Sequence, residues 1–194
     1  MKVIAFNGSP RPNGNTAQSL RIVLEGLESE GIETELVQLG GRKVFGCLAC
    51  GMCSKNRDKR CARKDDDMND LLDKLYKSDG VLIGSPTYYG NVTPEVKALI
   101  DRAGIVSGAN GGLLRHKVGA AVIAVRRGGA VSVYSAINHF FAITEMIIPG
   151  STYWNFMFGL NPGDVLSDEE GTHNMKNLAH NMAWLLKKIH GKEQ

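Results

Sequence analysis

The sequence has no long apolar run and no strong excess of charge of either sign. Its longest apolar stretch, Val118–Val125 with one internal glycine, is far shorter than the roughly 20 residues that span a bilayer. The net charge of +3, from 23 Lys and Arg against 20 Asp and Glu, is too small to indicate nucleic acid as the main partner. We therefore expect neither a membrane-spanning segment nor a nucleic-acid-binding function.

Features of secreted proteins are also missing. Only Lys2 and a short apolar run precede Asn7, which does not match a signal peptide, so we expect a cytoplasmic protein. Cysteines stay reduced in that compartment, and structural disulfides are not expected. All four cysteines nevertheless fall between Cys47 and Cys61, and glycine, at 23 of 194 residues, exceeds its usual share of about 7%. Clustered cysteines and abundant glycine indicate cofactor binding.

Familiar sets of catalytic side chains are absent as well. The five histidines, at positions 116, 139, 173, 180 and 190, form no metal-ligand spacing with one another or with the cysteines. No Ser–His–Asp triad or pair of carboxylates is indicated. We therefore predict no catalytic side chain and expect a bound cofactor to carry the chemistry.

Apolar runs alternate with helical patterns along the whole chain. Strands are expected at residues 2–6, 32–39, 81–84, 117–125 and around 147–148, with five helices separating or following them. This order predicts an α/β fold, a doubly wound parallel sheet of five strands with helices on both faces. An irregular cysteine-rich segment, residues 40–64, follows the second strand. Ligands of such sheets bind beyond the carboxyl ends of the strands, so the loops after strands are the informative ones.

The loop after the first strand, residues 7–16, leads to a helix N-terminus, where free N–H groups favour an anion. It lacks the lysine of a P-loop, the G-x-G-x-x-G pattern, and acidic residues for magnesium. Ser9, Arg11, Asn15 and Thr16 instead suit a phosphate monoester. The alternative is an ordinary Gly/Pro-rich turn capped by Thr16.

Two later loops complete a candidate ligand site. Tyr88 and Tyr89, followed by Gly90 and Asn91, offer flat surface and backbone donors to a planar heterocycle. The stretch at 126–130, Arg-Arg-Gly-Gly-Ala, offers cations and N–H groups to the oxygens of a reduced ring. Surface packing of the tyrosines and a glycine turn with solvated arginines are the alternatives. Together the three loops predict one ligand with a phosphate at one end and an aromatic ring at the other.

The cysteine segment has the spacing Cys47-x₂-Cys50-x₂-Cys53-x₇-Cys61. Consecutive x₂ spacings suit three ligands of one iron–sulfur cubane, with the fourth supplied by a short loop. Zinc sites more often split into two distant pairs, and redox disulfides use a single C-x-x-C. An iron–sulfur cluster, a zinc site and a cysteine loop without metal therefore remain open.

Several motifs resemble those of the flavodoxin-like NADPH-dependent FMN reductase family, most closely the iron–sulfur flavoproteins. They are Gly8-Ser9-Pro10-Arg11, Asn13-Gly14-Asn15-Thr16 and Ser85-Pro86-Thr87-Tyr88-Tyr89-Gly90, with softer similarity over 126–129, 137–141 and 153–155. The resemblance implies a single flavodoxin-like FMN-binding domain over residues 1–194, with three layers. It places the FMN phosphate at Ser9, Arg11, Asn13, Asn15 and Thr16. It places the ring at Pro86, Thr87, Tyr88, Tyr89, Gly90 and Asn91, with Arg127, Gly128 and Gly129 as a third contact.

The resemblance also has implications for the metal cluster, the electron donor and the oligomeric state. It favours a [4Fe-4S] cluster held by Cys47, Cys50, Cys53 and Cys61, in a homodimer or homotetramer. We expect an enzyme that takes electrons from NAD(P)H, bound transiently, and passes them to a quinone, a flavin or another small acceptor. The alternatives are an electron-transfer protein reduced by ferredoxin and a non-enzymatic module with zinc or a cluster-free cysteine loop. Bases beside the cysteines, such as Lys55 and Arg57, would guide an acidic donor or form a solvated surface.

Overall fold

Five parallel strands form one sheet of order β2-β1-β3-β4-β5 in the computed structural model, which describes residues 1–191. The strands are β1 (Lys2–Asn7), β2 (Glu33–Gln38), β3 (Gly80–Pro86), β4 (Val118–Val125) and β5 (Phe156–Phe158). The helices are α1 (Asn15–Ser29), α2 (Met52–Asn56), α3 (Met68–Lys77), α4 (Pro94–Ala109), α5 (Ala130–Ile143) and α6 (Glu169–His190), with a 3₁₀ turn at Asp164–Ser167. Within the described range no helix has the length and apolar character needed to cross a bilayer.

Burial on both faces explains why the central strands are continuous apolar runs. All eight residues of β4 are buried, as are five of the six residues of β1. Ile4 and Phe6 belong to one apolar cluster with residues of α3, α4 and α5, whereas Val3 and Ala5 belong to a second cluster with α1 and α6. Alternate residues of one strand thus serve two cores, and the predicted flavodoxin-like arrangement of helices on both faces is confirmed.

Glycine and proline mark two helix boundaries. Gly31 follows α1 with a φ of 78°, a left-handed conformation that glycine adopts without strain. Thr93 is the N-cap of α4 and Pro94 its first residue. The Thr93 hydroxyl donates to the carbonyl oxygen of Gly8 at 3.0 Å instead of capping its own helix. This bond ties the start of α4 to the loop that follows β1.

The fifth strand was predicted around residues 147–148 and lies instead at Phe156–Phe158. Ile147 does reach the sheet: its N–H donates to the Lys117 carbonyl and its carbonyl accepts from Gly119, both at 2.9 Å. Pro149 has no N–H to continue this ladder, and the chain leaves the edge of the sheet. It returns at Asn155, whose carbonyl accepts from Ile123 at 2.9 Å. The edge of the sheet beside β4 is therefore formed by two separate segments, Ile147 and β5.

The cysteine-rich segment was predicted to be irregular throughout, but it contains the five-residue helix α2. Gly51 precedes this helix with a φ of 68°, and Arg57 ends it with a φ of 51°. Left-handed residues at both ends turn the chain sharply, so the helix is only a local feature of a tightly wound loop. The segment packs against α4 in the described structure.

Candidate functional site

A cleft of about 180 Å³ opens at the carboxyl ends of β1, β3 and β4. β2 lies on one side of β1 and β3 on the other, so the cleft lies where the strand order reverses. Its lining comes from four loops and strand ends: Ser9, Arg11, Asn15, Thr16, Pro86, Thr87, Tyr88, Ala124, Arg126, Gly159 and Leu160. Loops that are far apart in sequence thus form one concave surface.

The loop after β1 is held by hydrogen bonds from the end of β2 and from the loop that follows it. The N–H of Gly40 donates to the Asn7 carbonyl at 2.9 Å, and the Gln38 amide donates to the Ser9 carbonyl at 2.7 Å. A Cβ on Gly40 would lie 2.3 Å from the Ser9 carbonyl carbon, closer than any real side chain approaches. Glycine at position 40 is therefore required for the first loop to keep its position.

Helix α1 begins at this loop without a side-chain cap. Gly14 occupies the N-cap position and Thr16, which the alternative interpretation assigned to capping, is buried and lines the cleft. The first turn of α1 also contains no acidic residue. Its N-terminal N–H groups and the positive end of the helix dipole are therefore available to an anion in the cleft.

Two of the predicted asparagines have different neighbours. Asn15 lines the cleft, and its side-chain oxygen accepts from the Gly163 N–H at 2.8 Å, which ties α1 to the loop after β5. Asn13 lies outside the lining, and its side-chain oxygen accepts from Arg21 at 3.3 Å. The structure therefore brings Ser9, Arg11, Asn15 and Thr16 together and leaves Asn13 on the outer side of the loop.

The loop after β3 forms a tight hairpin turn. Tyr88 and Asn91 exchange backbone hydrogen bonds of 3.0 and 2.9 Å, while Tyr89 and Gly90 have φ angles of 48° and 75°. Pro86, Thr87 and Tyr88 line the cleft, whereas Tyr89 is fully exposed at the tip. Tyr89, Gly90 and Asn91 therefore shape the turn without lining the cleft.

Thr87 lines the cleft and carries an unpaired polar atom. Its hydroxyl is buried and has no hydrogen-bond partner among the described residues. Buried hydroxyls are normally satisfied, and one facing a cleft is commonly satisfied by a ligand. The cleft therefore combines an unused polar atom, the guanidinium groups of Arg11 and Arg126, and the ring of Tyr88.

The loop after β4 contributes Arg126 to the lining in place of the predicted Arg127, Gly128 and Gly129. Gly129, with a φ of 86°, packs against the second loop: a Cβ there would lie 3.0 Å from the Thr87 methyl group. Gly159 and Leu160 were also missed. They follow the true β5, and a fifth strand placed at 147–148 gave no reason to examine them.

The four cysteines line a second cavity of about 180 Å³, between the cysteine loop and α4. Arg102, Ile105 and Val106 form its α4 side. The cysteines are free thiols, with Cys53 buried and Cys47 and Cys50 exposed. In residues 1–191, no three His, Cys, Asp or Glu side chains are arranged to hold one metal ion.

The backbone of the cysteine loop is tightly wound and partly braced. Ala49 and Gly51 have positive φ angles between the cysteines, and the Ala49 N–H donates to the Cys47 sulfur at 3.4 Å. Asn69 of α3 accepts from the Cys61 N–H at 2.8 Å and donates to the Cys61 carbonyl at 3.0 Å. Side chains outside the loop thus fix where Cys61 lies.

A buried ion pair joins Arg102 of α4 to Asp66, with side-chain exposures of 1% and 0%. Burial opposes the charge of Arg102, but the hydrogen bond with Asp66 and the proximity of Cys61 outweigh it, so the pKa of Arg102 is raised. Burial raises the pKa of nearby Tyr76, and the Cys53 and Cys61 thiols add to this effect. Sequence patterns did not reveal this pair, since Arg102 lies within a helix and Asp66 within an acidic run.

Comparison with known proteins identifies the family. Residues 1–160 match the NADPH-dependent FMN reductase family. The chain is 37% identical to an iron–sulfur flavoprotein of Methanocaldococcus jannaschii, over 97% of this chain and 99% of that protein.

Solved structures agree on the fold. RosB, determined with 8-demethyl-8-formylriboflavin-5'-phosphate bound, aligns with a TM-score of 0.77 at 18% identity, over 97% of this chain and 80% of that one. A flavodoxin from the domain Archaea aligns with a TM-score of 0.61 at 16% identity, over 96% and 99%. The fold and the sequence together show that the chain belongs to the flavodoxin-like NADPH-dependent FMN reductase family and, within it, to the iron–sulfur flavoproteins.

Proposed function

We propose that the protein is an FMN-dependent oxidoreductase that binds FMN in the cleft at the ends of β1, β3 and β4. The observation that carries this proposal is the convergence of four loops and the uncapped N-terminus of α1 on one cleft, in a member of an FMN reductase family. When bound, FMN supplies the redox chemistry, while the protein supplies placement and electrostatics.

The residues of the cleft divide by chemistry. Ser9, Arg11, Asn15 and Thr16, with the first N–H groups of α1, would hold the phosphate by charge and hydrogen bonds. Pro86, Thr87 and Tyr88 would contact the ring, and the free Thr87 hydroxyl fits its polar edge. Arg126 would offset negative charge on the reduced ring. We propose a supporting role for Asn13, Tyr89, Gly90, Asn91, Arg127, Gly128 and Gly129, which shape the loops without lining the cleft.

We further propose that Cys47, Cys50, Cys53 and Cys61 ligate an iron–sulfur cluster, of the [4Fe-4S] type that their spacing suits. The four side chains line one cavity, and their consecutive x₂ spacings favour a polynuclear cluster over tetrahedral zinc. The Ala49 N–H already donates to the Cys47 sulfur, a contact typical of cluster ligands. A bound cluster would supply single-electron transfer, and the chain's part is to hold and shield it.

Two electron donors are compatible with this site. NAD(P)H would bind transiently against the open side of the cleft, because residues 1–160 belong to an NADPH-dependent family. Reduced ferredoxin is the second candidate, favoured by the exposed bases Lys55, Arg57, Lys59 and Arg60 beside the cysteines. The acceptor would be a quinone, a flavin or another small molecule.

The cofactors are tested by anaerobic purification followed by a visible spectrum and assays of iron, sulfide and zinc. We expect flavin bands together with iron and sulfide. Flavin without iron after reconstitution would refute the cluster, and a colourless protein containing zinc would support the non-enzymatic alternative. A protein that binds no FMN would refute the proposal as a whole.

The phosphate site is tested by the double variant Arg11→Ala with Thr16→Ala. We expect markedly weaker FMN binding by fluorescence titration, since both side chains line the cleft. Arg21→Ala is the matched control because Arg21 bonds Asn13 outside the cleft. Equal affinities in the double variant and the control would show that the phosphate lies elsewhere.

The donor is tested by mixing the oxidised protein anaerobically with NADPH, NADH or reduced ferredoxin and following the flavin absorbance. Rapid bleaching by a nicotinamide supports the reductase. Bleaching by ferredoxin alone supports the electron-transfer protein instead.

We also propose that the chain assembles as a homodimer or homotetramer. Tyr153 and Trp154 are exposed next to β5, as expected of aromatic side chains at an interface between copies. Light scattering coupled to size-exclusion chromatography tests this, and a monomeric mass at micromolar concentration would refute it.

A further inference from the structure

Arg102 links the two ends of the cysteine loop through one buried side chain. Its Nη1 donates to the Phe45 carbonyl at 3.1 Å and pairs with Asp66, and its Nη2 reaches the Arg63 carbonyl at 3.5 Å. Phe45 precedes the first cysteine and Arg63 follows the last. The guanidinium therefore fixes both flanks of the loop while lining the same cavity as the four thiols.

One N–H donor of this guanidinium has no acceptor among the described residues. The Nε–H of Arg102 is buried and has no hydrogen-bond partner among residues 1–191. Buried donors of this kind are rare in native proteins, and an absent bound group is one cause. The thiol sulfurs are acceptors that could use this donor, because Arg102 and the four cysteines line the same cavity.

We propose that Arg102 is the charge partner of the cysteine-bound cluster, with its Nε–H reserved for a cluster or thiolate sulfur and its positive charge raising the reduction potential. This inference rests on the proposed function, namely that the four cysteines hold a cluster. Reduction adds one electron to the cluster and no proton, and Arg102 stays charged throughout. A fixed cation therefore stabilises the reduced form more than the oxidised form.

The surrounding charges define what each substitution does. Asp66 is the carboxylate paired with Arg102, and it partly offsets the positive charge that the cavity experiences. Lys55 is a cation of the same loop but is exposed, so solvent and salt screen it. Removing the charge of Arg102, Asp66 or Lys55 should therefore change the reduction potential of the cluster in three different ways.

The first test compares reduction potentials of the reconstituted wild-type protein, Arg102→Gln and Lys55→Gln by anaerobic redox titration followed by EPR. The two substitutions remove the same formal charge. We expect a clear shift to more negative potential in Arg102→Gln and a much smaller one in Lys55→Gln. Equal potentials in iron-loaded wild type and Arg102→Gln would overturn the inference while leaving the proposed cluster intact.

A second variant decides the outcome if Arg102→Gln does not take up iron. Asp66→Asn keeps Arg102 and removes the offsetting carboxylate, so we expect a shift of opposite sign, to more positive potential. An unchanged or more negative potential in this variant would overturn the inference. Wild-type protein without iron and sulfide after reconstitution would refute the cluster site itself, and the inference with it.

Discussion

At the scale of single residues, substitutions at two threonines distinguish an effect on ligand binding from an effect on stability. The hydroxyls of Thr87, in the cleft, and Thr172, in α6, are both buried without partners in the described structure. We expect Thr87→Val to weaken FMN binding about 5- to 10-fold, the effect of losing one hydrogen bond. The matched variant Thr172→Val should bind FMN like wild type. Fluorescence titration measures both affinities, and equal values would mean that Thr87 does not contact the flavin.

The apo proteins provide a second readout of the same pair. Because valine removes a buried hydroxyl that has no partner, neither substitution should lower the melting temperature. A lower value for Thr87→Val would indicate that its hydroxyl has a structural partner.

Residue types near the cleft could be predicted from the sequence, but their orientation could not. Ala124 and Arg126 both line the cleft because alternate residues at a strand end face the same side, which turns Arg127 away. Tyr88 belongs to the ladder of its hairpin whereas Tyr89 lies at the tip. In both loops, a shift of one residue decides which side chain lines the cleft. Composition carries no information about that shift.

At the scale of elements, the loop after β2 supports the loop after β1. We expect Gly40→Ala to weaken FMN binding at least 10-fold, because the added methyl group would overlap the backbone of Ser9 and Pro10. Gly46→Ala is the control, since a Cβ at Gly46 meets nothing within 4 Å. FMN titration and thermal unfolding of both variants check this. Wild-type affinity in Gly40→Ala would show that the first loop tolerates displacement.

Glu35 of β2 joins two other elements through ion pairs with Lys74 of α3 and Lys2 of β1. Hydrogen bonds from Lys74, then Lys2, lower the pKa of Glu35 below its usual 4.5. Its stabilising contribution is therefore present above about pH 4.5 and is lost as the pH falls through the lowered value.

We accordingly expect Glu35→Gln to reduce the free energy of unfolding by less than about 1 kcal/mol at pH 7. The difference from wild type should shrink towards zero in acid. Urea unfolding at several pH values measures it, and a difference that persists below the lowered pKa would contradict the assignment.

Most elements were predictable because long buried strands and amphipathic helices have clear periodicity. The fifth strand was the exception, since Ile147 and Ile148 have the composition of a strand but Pro149 ends the ladder. The true β5 is three residues long and its burial depends on aromatic contacts from Tyr134 and Trp154. Tertiary packing, which sequence patterns do not report, decides such a short strand.

At the scale of the whole molecule, α4 connects the two candidate sites. Its N-cap Thr93 bonds the loop after β1, and Arg102 further along the same helix lines the cysteine cavity. One helix thus contacts both candidate sites, through its N-cap and through Arg102. No pattern in the sequence indicated that Arg102 of this helix is buried.

The ion pair between Arg102 and Asp66 should dominate the stability of the cysteine region. We expect Arg102→Met to cost about 3–5 kcal/mol, because it leaves Asp66 buried and uncompensated. The double variant with Asp66→Asn should recover much of this loss. Denaturant unfolding of the apo protein measures each, and strictly additive effects would contradict a coupled pair.

The bidentate pair of Arg115 and Glu145 provides a contrast on the surface. Both side chains are about half exposed, with contacts of 2.7 and 2.9 Å. Arg115→Met should change stability only slightly, because solvent screens the pair. A loss as large as that of Arg102→Met would show that burial is not the deciding factor.

Pro149 leaves only Phe156–Phe158 as a regular strand at one border of the sheet. A strand from another polypeptide finds few free backbone donors and acceptors to pair with there. The opposite border, β2, carries the ionised side chains Glu33 and Glu35, paired with lysines of β1 and α3, and a strand added there would have to accommodate these charged groups. The short strand at one border and the charged strand at the other both disfavour the addition of a strand from another chain.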